Sequence, residues 1–434
     1  MEAPDLSAGG PEDLPHRLFP PEPGDIQWGV ERTRAILAEL GDPHLALPYL
    51  HVGGTNGKGS VARIWAEVLS SSGRRTGVYT SPHLTSFTER FLIGGRPVPE
   101  ARLLELGREI RPVLERHSPS HFEAATALAF LLFRQVGVDV GIAEVGLGGR
   151  LDATNVLLPR VTAVTNVALD HQGYLGPSLR GIAREKAGIF KTGVPAVVAE
   201  ARPALRSLFC SWARQAGAPL LLVDPRRDVR ILESGVRGTV VELDSDQWGP
   251  LRLHSPLPGR HQGGNILVAV RALELLPPEL RPDRDAVVEG VAGARLPGRV
   301  EVLADQGGVL VLDVAHNPAG ARALAHTLGS LELPRPWVLV AGILADKEWR
   351  AMLPPLLARV DRAFLSVPDP APRDRRWDPF EVAAALFSPV PLQVVPRFSE
   401  ALTRAREVAG KGTVVVTGSF PAVGEARIRR RVPD

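Results

Sequence analysis

The apolar positions along the chain alternate between helical and strand spacing. Apolar residues recur at helical spacing over 26–40, and an apolar stretch at 45–52 then predicts a β-strand. A glycine-rich segment follows at 53–60, and residues 61–73 again show helical spacing. The order of strand, glycine-rich loop and helix is typical of a loop that binds phosphate groups.

The same alternation of strands and helices continues through the first half of the chain. Short apolar strands are interspersed with longer segments of helical spacing. This order predicts a doubly wound, mostly parallel sheet with helices on both faces. The predicted strands lie at 76–80, 138–145, 160–167 and 195–199, and the predicted helices lie at 100–117, 124–135 and 184–190.

The pattern changes twice in the rest of the chain. Between residues 229 and 253, short alternating stretches joined by glycine-bearing turns predict a small antiparallel ribbon. After LPGRV at 296–300, a second set of strands and helices predicts a smaller Rossmann-like sheet. The predicted fold class is therefore α/β, with a P-loop domain that carries the ribbon and a Rossmann-like C-terminal domain. The predicted boundaries are a disordered or extended lead at 1–25, the P-loop domain at 26–297 and the second domain at 298–434.

The composition narrows the possible compartments and partners. Of the 434 residues, 44% are hydrophobic and 23% are charged, and no apolar run approaches the roughly 20 residues that span a bilayer. Residues 1–15 lack the basic start and apolar stretch of a secretory signal. The single cysteine, Cys210, rules out an internal disulfide, and the net charge of +3 is small for nucleic-acid binding. We expect a cytoplasmic protein without a membrane or nucleic-acid partner.

Lysine is rare in this chain, so its positions are informative. A lysine amine can lose its proton and react, which a guanidinium cannot readily do. Lysines that lie within motifs are therefore candidates for chemistry. The lysines are Lys58, Lys186, Lys191, Lys347 and Lys411, and every other basic residue apart from the histidines is arginine.

The glycine-rich segment at 53–60 is the strongest candidate site. Its backbone amides and the N-terminus of the next helix could surround a triphosphate, with Lys58 beside the outer phosphates. The strict Walker pattern fails, because Gly59 separates Lys58 from Ser60 and Val52 takes the place of the first glycine. The alternative is an ordinary glycine-rich turn, and we favour nucleotide binding.

Polar residues follow several predicted strands, at the edge where doubly wound sheets bind ligands. Ser81 and His83 come directly after one strand, and Glu144, which ends another, is a candidate Mg²⁺ ligand. Asp170 and His171 follow the next strand. A lone histidine at such a place is at least as often a capping or packing residue as a ligand.

Three further candidates also have ordinary structural explanations. Lys186 lies in REKAGIF, where the alternative is an exposed helical lysine. Asp313 ends a predicted strand of the second domain and could accept hydrogen bonds from ribose hydroxyls. His316 and Asn317 follow it, and capping of the next helix would explain them equally well.

A series of motifs then connects these candidates. GTNGKGS, TSPH, HFEAATALAF, EVGLGGRLDATN, DHQGYLG, REKAGIF, LPGR, DVAHNP and ADK occur in this order and extend over nearly the whole chain past residue 25. On these motifs the chain resembles the folylpolyglutamate synthase family, within the Mur ligase superfamily. The resemblance implies a two-domain enzyme whose active site lies between the P-loop domain and the Rossmann-like domain.

The resemblance also implies roles for individual residues, with Lys58, Lys186 and His171 acting in catalysis. The residues that the resemblance implies for ATP binding are Thr55, Asn56, Gly57, Lys58, Gly59, Ser60, Asn265, Arg299, Asp313 and Lys347. For Mg²⁺, expected as two ions, they are Ser60, Ser81, Glu144 and His171, and Lys186 is expected to carry a CO₂-derived carbamate. For the pterin end of dihydropteroate they are Ser120, His121, Phe122, Glu123, Leu151, Asp152 and Ala153, with His121 at a variable position.

The function that the resemblance implies is an ATP-dependent ligase, expected to be a monomer. It would add L-glutamate to dihydropteroate, to folates or to both, through an acyl phosphate. One alternative is a Mur-type ligase of peptidoglycan precursors, which normally carries a dedicated N-terminal domain, whereas only about fifty residues precede this P-loop. A second alternative is a switch protein that hydrolyses ATP to change shape.

Overall fold

The structure is a computed structural model that describes residues 14–21 and 29–430. It begins with a short helix, α1 (Leu14–Leu18), whose leucines are buried against α4 (Glu100–His117). The burial of these apolar side chains favours folding onto the domain. The predicted disordered or extended lead is therefore wrong for α1, and most of the rest of that segment lies outside the described residues.

The first domain is built on an eight-stranded sheet. Its long central part is parallel, and two short strands pair antiparallel at one edge. The central strands are buried along their length, as expected where helices cover both faces. In sheet order the strands are β4 (Arg96–Pro97), β3 (Phe91–Ile93), β2 (Thr76–Tyr79), β5 (Val140–Glu144), β1 (Tyr49–Gly53), β6 (Val161–Val164), β7 (Ala196–Ala199) and β8 (Leu220–Val223). The predicted doubly wound, mostly parallel sheet is confirmed.

Two layers of helices enclose this sheet. In one layer, Trp65 of α3 (Lys58–Ser71) is buried and donates its indole N–H to the Ala269 carbonyl of α9 (His261–Glu274) at 3.1 Å. An added Cβ on Gly290 of α10 (Arg284–Gly293) would lie 2.3 Å from Val68 Cα, so glycine allows α10 to approach α3. Besides α1 and α4, the helices of this domain are α2 (Glu31–Glu39), α3 (Lys58–Ser71), α5 (His121–Val136), α6 (Gln172–Leu175), α7 (Leu179–Ala187), α8 (Pro203–Ala216), α9 (His261–Glu274) and α10 (Arg284–Gly293).

Several element boundaries differ from the sequence prediction. β1 begins at Tyr49 rather than at residue 45, because Pro48 has no N–H for the ladder and a 3₁₀ turn occupies Pro43–Leu45. The helix predicted over 26–40 begins only at Glu31. α7 begins earlier than predicted, where Ser178 Oγ accepts the Gly181 N–H as a helix cap, and it ends at Ala187.

The predicted antiparallel ribbon is confirmed as three strands that lie beside α9 and α10. Glycines flank its turns, and two of them, Gly238 and Gly249, have φ values of 116° and 68°, a backbone conformation that glycine tolerates. Its strands are β9 (Arg230–Gly235), β10 (Gly238–Ser245) and β11 (Gly249–Ser255).

The second domain contains a six-stranded sheet with helices on both faces. Its strands are parallel except for β12, an antiparallel edge strand that the sequence analysis missed. In sheet order they are β12 (Glu301–Asp305), β13 (Gly308–Asp313), β17 (Thr413–Thr417), β14 (Trp337–Ala341), β15 (Arg362–Val367) and β16 (Leu392–Arg397). The helices are α11 (Pro318–Leu328), α12 (Trp349–Leu357), α13 (Pro379–Ala385), α14 (Phe398–Ala409) and α15 (Phe420–Arg429). This is the Rossmann-like sheet that the sequence predicts.

The carboxyl ends of β1, β2, β5 and β6 meet at one edge of the first sheet, and the second domain adjoins that edge. Asn317, which follows β13, donates from Nδ2 to Asn56 Oδ1 of the loop after β1 at 2.9 Å. Loops from both domains therefore converge at the cleft. Within the described residues, no helix is both long enough and apolar enough to cross a membrane.

Candidate active site

The P-loop after β1 adopts a shape that only glycine permits at two positions. Gly54 has φ 139°, and an added Cβ there would lie 1.9 Å from Thr165 Oγ1. Gly57, which precedes α3, has φ 85°, and its Cβ would lie 2.2 Å from Asn265 Oδ1. The glycines thus let the backbone approach the structure behind the loop. They leave the N-terminus of α3 free to present its N–H groups to phosphate oxygens.

The loop after β6 holds the P-loop in place, a role that the sequence analysis missed. Thr165 donates its hydroxyl to the Asn56 carbonyl at 2.6 Å, and Asn166 donates from Nδ2 to the same carbonyl at 2.8 Å. Asn56 N–H donates back to Asn166 Oδ1 at 3.1 Å. The strand predicted through residue 167 ends at Val164, which releases both side chains for these contacts.

Lys58 lies where the cation of a phosphate site is expected. Its Nζ donates to the Thr55 carbonyl at 3.3 Å and lies 3.8 Å from Glu144 Oε1. Burial raises the pKa of Glu144, and the charges of Lys58 and Arg299 oppose that rise. A buried carboxylate beside a P-loop favours a bound cation, because a cation would restore its ionised form.

The predicted metal ligands lie together, with one exception. Ser81, Glu144 and His171 line a cavity of about 70 Å³ beside the P-loop, whereas Ser60 is buried in the first turn of α3 and does not line it. Burial lowers the pKa of His171 to about 4, so its ring is neutral and keeps a lone pair for a metal ion. Among the residues that the structure describes, no group of three or more histidine, cysteine or acidic side chains could hold a metal. The oxygen donors of Ser81 and Glu144 fit a hard cation, whose remaining ligands would include phosphate oxygens.

Lys186 lies in the wall of the same cavity. It is on α7, only 3% exposed, and the alternative of an exposed helical lysine is therefore wrong. Burial, followed by the charge of Lys58, lowers the pKa of its amine to about 7. Gly149 lets the loop after β5 approach α7, because an added Cβ would lie 2.8 Å from the Glu185 carbonyl.

Asp170 connects the two domains, although the sequence analysis gave it no specific role. Its carboxylate accepts from Lys347 Nζ at 2.8 Å and from Asn317 Nδ2 at 2.9 Å, and it lies 3.4 Å from His316 Nε2. Burial alone would raise the pKa of Asp170, but the hydrogen bond from His316 and the charges of His316 and Lys347 hold it well below its usual range. Asn317 also caps α11 through Gly320 N–H, so capping and interdomain contact are combined in one side chain.

Three more residues that were predicted to bind ATP lie in different parts of the site. Arg299 lines the P-loop cavity and lies over the Phe420 ring at 5.6 Å. Asn265 lies directly behind Gly57, as its close approach to that glycine shows. Asp313 is buried and accepts two backbone N–H groups, from Val300 and Ala315, each at 2.9 Å. Its proposed contact with ribose stays a prediction.

A second cavity, of about 900 Å³, opens between the domains. Its walls include six of the seven residues predicted to bind the pterin: Ser120, Phe122, Glu123, Leu151, Asp152 and Ala153. Lys347, predicted to bind nucleotide, lines this cavity instead of the smaller one. The seventh residue, His121, does not line it and packs its ring against Phe19 at 5.9 Å.

Ser120 and Glu123 have a clear structural role in this wall. Ser120 Oγ accepts the Glu123 N–H, and Glu123 Oε2 accepts the Ser120 N–H at 2.8 Å, which forms a capping box at the start of α5. Phe122 lies against the loop after β5, where an added Cβ on Gly146 would be 2.4 Å from its ring. Sequence signals alone could not distinguish capping residues from ligand contacts here.

The two cavities meet. Both are lined by Ser81, Gly146, His171, His316 and Phe420. A substrate in the large cavity could therefore present one end to the P-loop cavity. This arrangement suits the transfer of a phosphoryl group from a nucleotide to a bound acid.

Comparisons with known proteins agree with this arrangement. A folylpolyglutamate synthase from Lacticaseibacillus casei is 35% identical over 402 residues, which cover 90% of this chain and 91% of that protein. The structure of E. coli FolC in complex with DHPP and ADP is similar with a TM-score of 0.85 and 32% identity, over 98% of this chain and 99% of that one. A bifunctional folylpolyglutamate synthase/dihydrofolate synthase with Mn, AMPPNP and L-glutamate bound has a TM-score of 0.79 at 32% identity, over 94% of this chain and 95% of its own.

The P-loop, the facing second domain and the shared cleft define an ATP-dependent ligase of the Mur type. Residues 52–273 match the Mur ligase middle domain, and residues 298–420 match the Mur ligase, glutamate ligase domain. Together with the relatives above, these matches show that the chain belongs to the folylpolyglutamate synthase family. The two alternatives, a peptidoglycan-precursor ligase and a nucleotide-dependent switch, are correspondingly disfavoured.

Proposed function

We propose that this chain joins L-glutamate to dihydropteroate, to folates or to both, using ATP. The observation that carries the proposal is the junction of the two cavities at Ser81 and His171. It lets a carboxylate at the end of an extended acid reach the phosphates beside Lys58. The relatives named above are synthases of this kind or were solved with such ligands.

The reaction needs no nucleophilic side chain. A carboxylate oxygen of the acid attacks the γ-phosphorus of ATP, the bond to the β-phosphate oxygen breaks, and ADP leaves. The amine of L-glutamate then attacks the acyl carbon of the acyl phosphate, inorganic phosphate leaves, and the nitrogen releases one proton. Lys58 and the N–H groups at the start of α3 stabilise the charge on the transferred group.

We assign Ser81, Glu144 and His171, with Ser60 nearby in α3, to bound Mg²⁺, and we propose two ions. Magnesium supplies charge neutralisation on the phosphate oxygens. Thr55, Asn56, Gly57 and Gly59 would hold the phosphates, and Asn265, Arg299 and Asp313 would complete the nucleotide site.

We also propose that Lys186 carries a carbamate. Its ammonium group would first lose one proton, and the neutral amine would then attack CO₂, form an N–C bond and release a second proton. The reaction thus replaces a cation by an anion near the metal ligands. The burial of Lys186 in the cavity wall supports the proposal, because only the neutral amine reacts. Lys347 is assigned to the interdomain contact with Asp170 as well as to the nucleotide.

A coupled assay of phosphate release tests the function. We expect release from ATP and Mg²⁺ only when L-glutamate and either dihydropteroate or a folate are both present, with a glutamylated product seen by mass spectrometry. Release in the absence of both would instead indicate a nucleotide switch, and activity with a uridine-linked acid would indicate a peptidoglycan-precursor ligase. The monomeric state, the cytoplasmic location and the lack of nucleic-acid and membrane partners stay predictions.

A further inference from the structure

The carboxylate of Asp152 is held rigidly in the wall of the large cavity. It lies in the loop after β5, where Oδ2 accepts the Leu147 N–H at 2.8 Å and Oδ1 accepts the Thr154 N–H at 3.0 Å. Two backbone donors on different oxygens fix the plane of the carboxylate. Its remaining lone pairs are the acceptors that it can offer to a ligand.

A third donor comes from the side chain of Thr154. The Thr154 hydroxyl is fully buried and donates to Asp152 Oδ1 at 2.5 Å. A hydroxyl has a single proton, so Thr154 Oγ1 can only accept from its second neighbour, His51 Nε2, at 2.8 Å. This fixes the tautomer of His51, because Nε2 must carry the hydrogen.

His51 has few other reasons to be polar. It lies inside β1 and is fully buried, at a position where the flanking residues Leu50 and Val52 are apolar. Burial, with a smaller effect of Lys191, lowers the pKa of His51 to about 3, so the ring stays neutral. Its Nδ1 has no hydrogen-bond partner among the described residues. The bond to Thr154 is therefore the contact that compensates for burying this side chain.

We propose that His51 and Thr154 are positioning residues that set substrate specificity through Asp152. The chain of hydrogen bonds from His51 Nε2 to Thr154 Oγ1 to Asp152 Oδ1 holds the carboxylate as an acceptor for the N–H groups of a 2-amino-4-oxo heterocycle. A carboxylate accepts two adjacent donors, such as an exocyclic amino group and a ring N–H. This inference rests on the proposed function, since it concerns the heterocyclic end of the same substrate.

The proposed role of Thr154 predicts that loss of its hydroxyl affects the binding of two substrates to different extents. A site that is built to bond an N–H group rejects an analogue that lacks it, because a buried acceptor is then left unpaired. The analogue to compare is a folate in which a methyl group replaces the 2-amino group. Loss of the Thr154 hydroxyl should weaken binding of the normal substrate more than binding of this analogue, which keeps the ring N–H but lacks the amino donor.

The experiment uses Thr154→Val, which keeps the shape but removes the hydroxyl, and Thr154→Ser, which restores it. The matched control is Thr162→Val, a buried threonine of β6 whose hydroxyl donates to the Pro195 carbonyl instead. We expect Thr154→Val to raise KM for the normal folate about tenfold, to raise KM for the analogue by a smaller factor, and to leave kcat and KM for ATP little changed. Thr154→Ser and Thr162→Val should both discriminate between the substrates as the wild type does.

Two variants of His51 test the hydrogen bond from His51 Nε2 to Thr154 Oγ1. Glutamine at 51 can place an N–H donor near the position of Nε2, whereas leucine cannot. His51→Leu should therefore raise KM for the normal folate in the same selective way, by less than Thr154→Val, and His51→Gln should be close to wild type. In the double variant His51→Leu/Thr154→Val, the histidine change should add no further loss.

The outcomes separate this inference from the proposed function. If the wild type glutamylates no folate or dihydropteroate, the proposed function fails. If the wild type is active but Thr154→Val affects both substrates equally, or discriminates like the wild type, only the inference fails. Full additivity of the two changes would also overturn it, because His51 would then act by a separate route. If Thr154→Val does not fold, His51→Leu replaces it in the test. A wild-type ratio of KM for the normal folate to KM for the analogue in His51→Leu would then overturn the inference.

Discussion

Burial controls the chemistry of Lys186. An exposed lysine is charged in all but roughly one molecule in a thousand at neutral pH, whereas a pKa of about 7 leaves a large neutral fraction. The neighbouring charge of Lys58 adds to this effect and would attract the carbamate once it forms. The motif around Lys186 identified the residue, but its position in the cavity wall depends on the packing of α7 against the loop after β5.

If the carbamate organises the site, charge conservation at 186 should not preserve activity. We expect Lys186→Arg and Lys186→Ala to lose activity on the order of 10²–10³-fold, the usual effect of removing one preorganised electrostatic group. NMR with ¹³C-labelled bicarbonate should show a carbamate signal in the wild type that is missing in Lys186→Ala. The control is Lys411→Arg, at an exposed lysine. A fully active Lys186→Arg enzyme would contradict the proposal.

The pKa of Lys186 also predicts how stability depends on pH. Because the amine has a pKa of about 7 when folded and an ordinary value of 10.5, the unfolded chain binds more protons between these values. Stability from this group therefore rises with pH across that window. We expect Lys186→Met to be more stable than the wild type below pH 7. The difference in free energy of unfolding between the variant and the wild type should shrink by roughly 1.4 kcal/mol per pH unit towards pH 10. Urea unfolding in CO₂-depleted buffer measures this difference at each pH, and a difference that does not change with pH would contradict the expectation.

At the scale of elements, periodicity predicted most of the fold. The bounds of α4 and the strand, loop and helix order around the P-loop agree with the sequence pattern. The elements that were not predicted include α1, α8, α10 and the strands β3, β4, β8 and β12, and β1 begins later than predicted. The shortest of them, such as α1 and β4, gain their stability from packing on other parts of the chain, which a local pattern does not contain.

The junction of the P-loop and α3 gives a matched pair of glycine variants. Gly57 and Gly73 lie before and after α3 with φ values of 85° and 82°, so alanine costs about 1 kcal/mol of backbone strain at each. Only Gly57 has a close neighbour: its Cβ would meet Asn265, which is held by Gln262 at 2.8 Å. Within the described residues, a Cβ at Gly73 would meet no atom within 4 Å.

We therefore expect the two variants to differ in ATP binding rather than in strain alone. Gly57→Ala should weaken ATP binding by at least about tenfold, since the P-loop or Asn265 must move. Gly73→Ala should lower the free energy of unfolding by about 1 kcal/mol and leave ATP affinity unchanged. Calorimetric titration with ATP and thermal unfolding measure the two quantities. Equal ATP affinity in both variants would show that the approach to Asn265 does not matter.

At the scale of the whole molecule, the sequence predicted a cleft between two domains but not the contacts that join them. Asp170 and Lys347 are 177 residues apart, and each has an ordinary local explanation in sequence. Only the fold brings the ends of β6 and β14 together. The same holds for the junction of the two cavities, which depends on loops from both domains.

The Asp170 contacts should control how the domains are held together. Asp170→Asn removes the nearer charged partner of the buried Lys347 amine and leaves the partly exposed carboxylate of Asp346, 3.8 Å away. Loss of one member of a buried ion pair typically costs about 3–5 kcal/mol. The chain can avoid this cost by separating the domains, so the population of the closed arrangement should fall by on the order of 100-fold. The matched control is Asp305→Asn, which breaks the buried pair with Arg406 inside the second domain. Small-angle X-ray scattering should show a larger radius of gyration for Asp170→Asn alone, accompanied by weaker ATP binding. If Asp170→Asn has the scattering profile and ATP affinity of the wild type, these contacts do not hold the cleft closed.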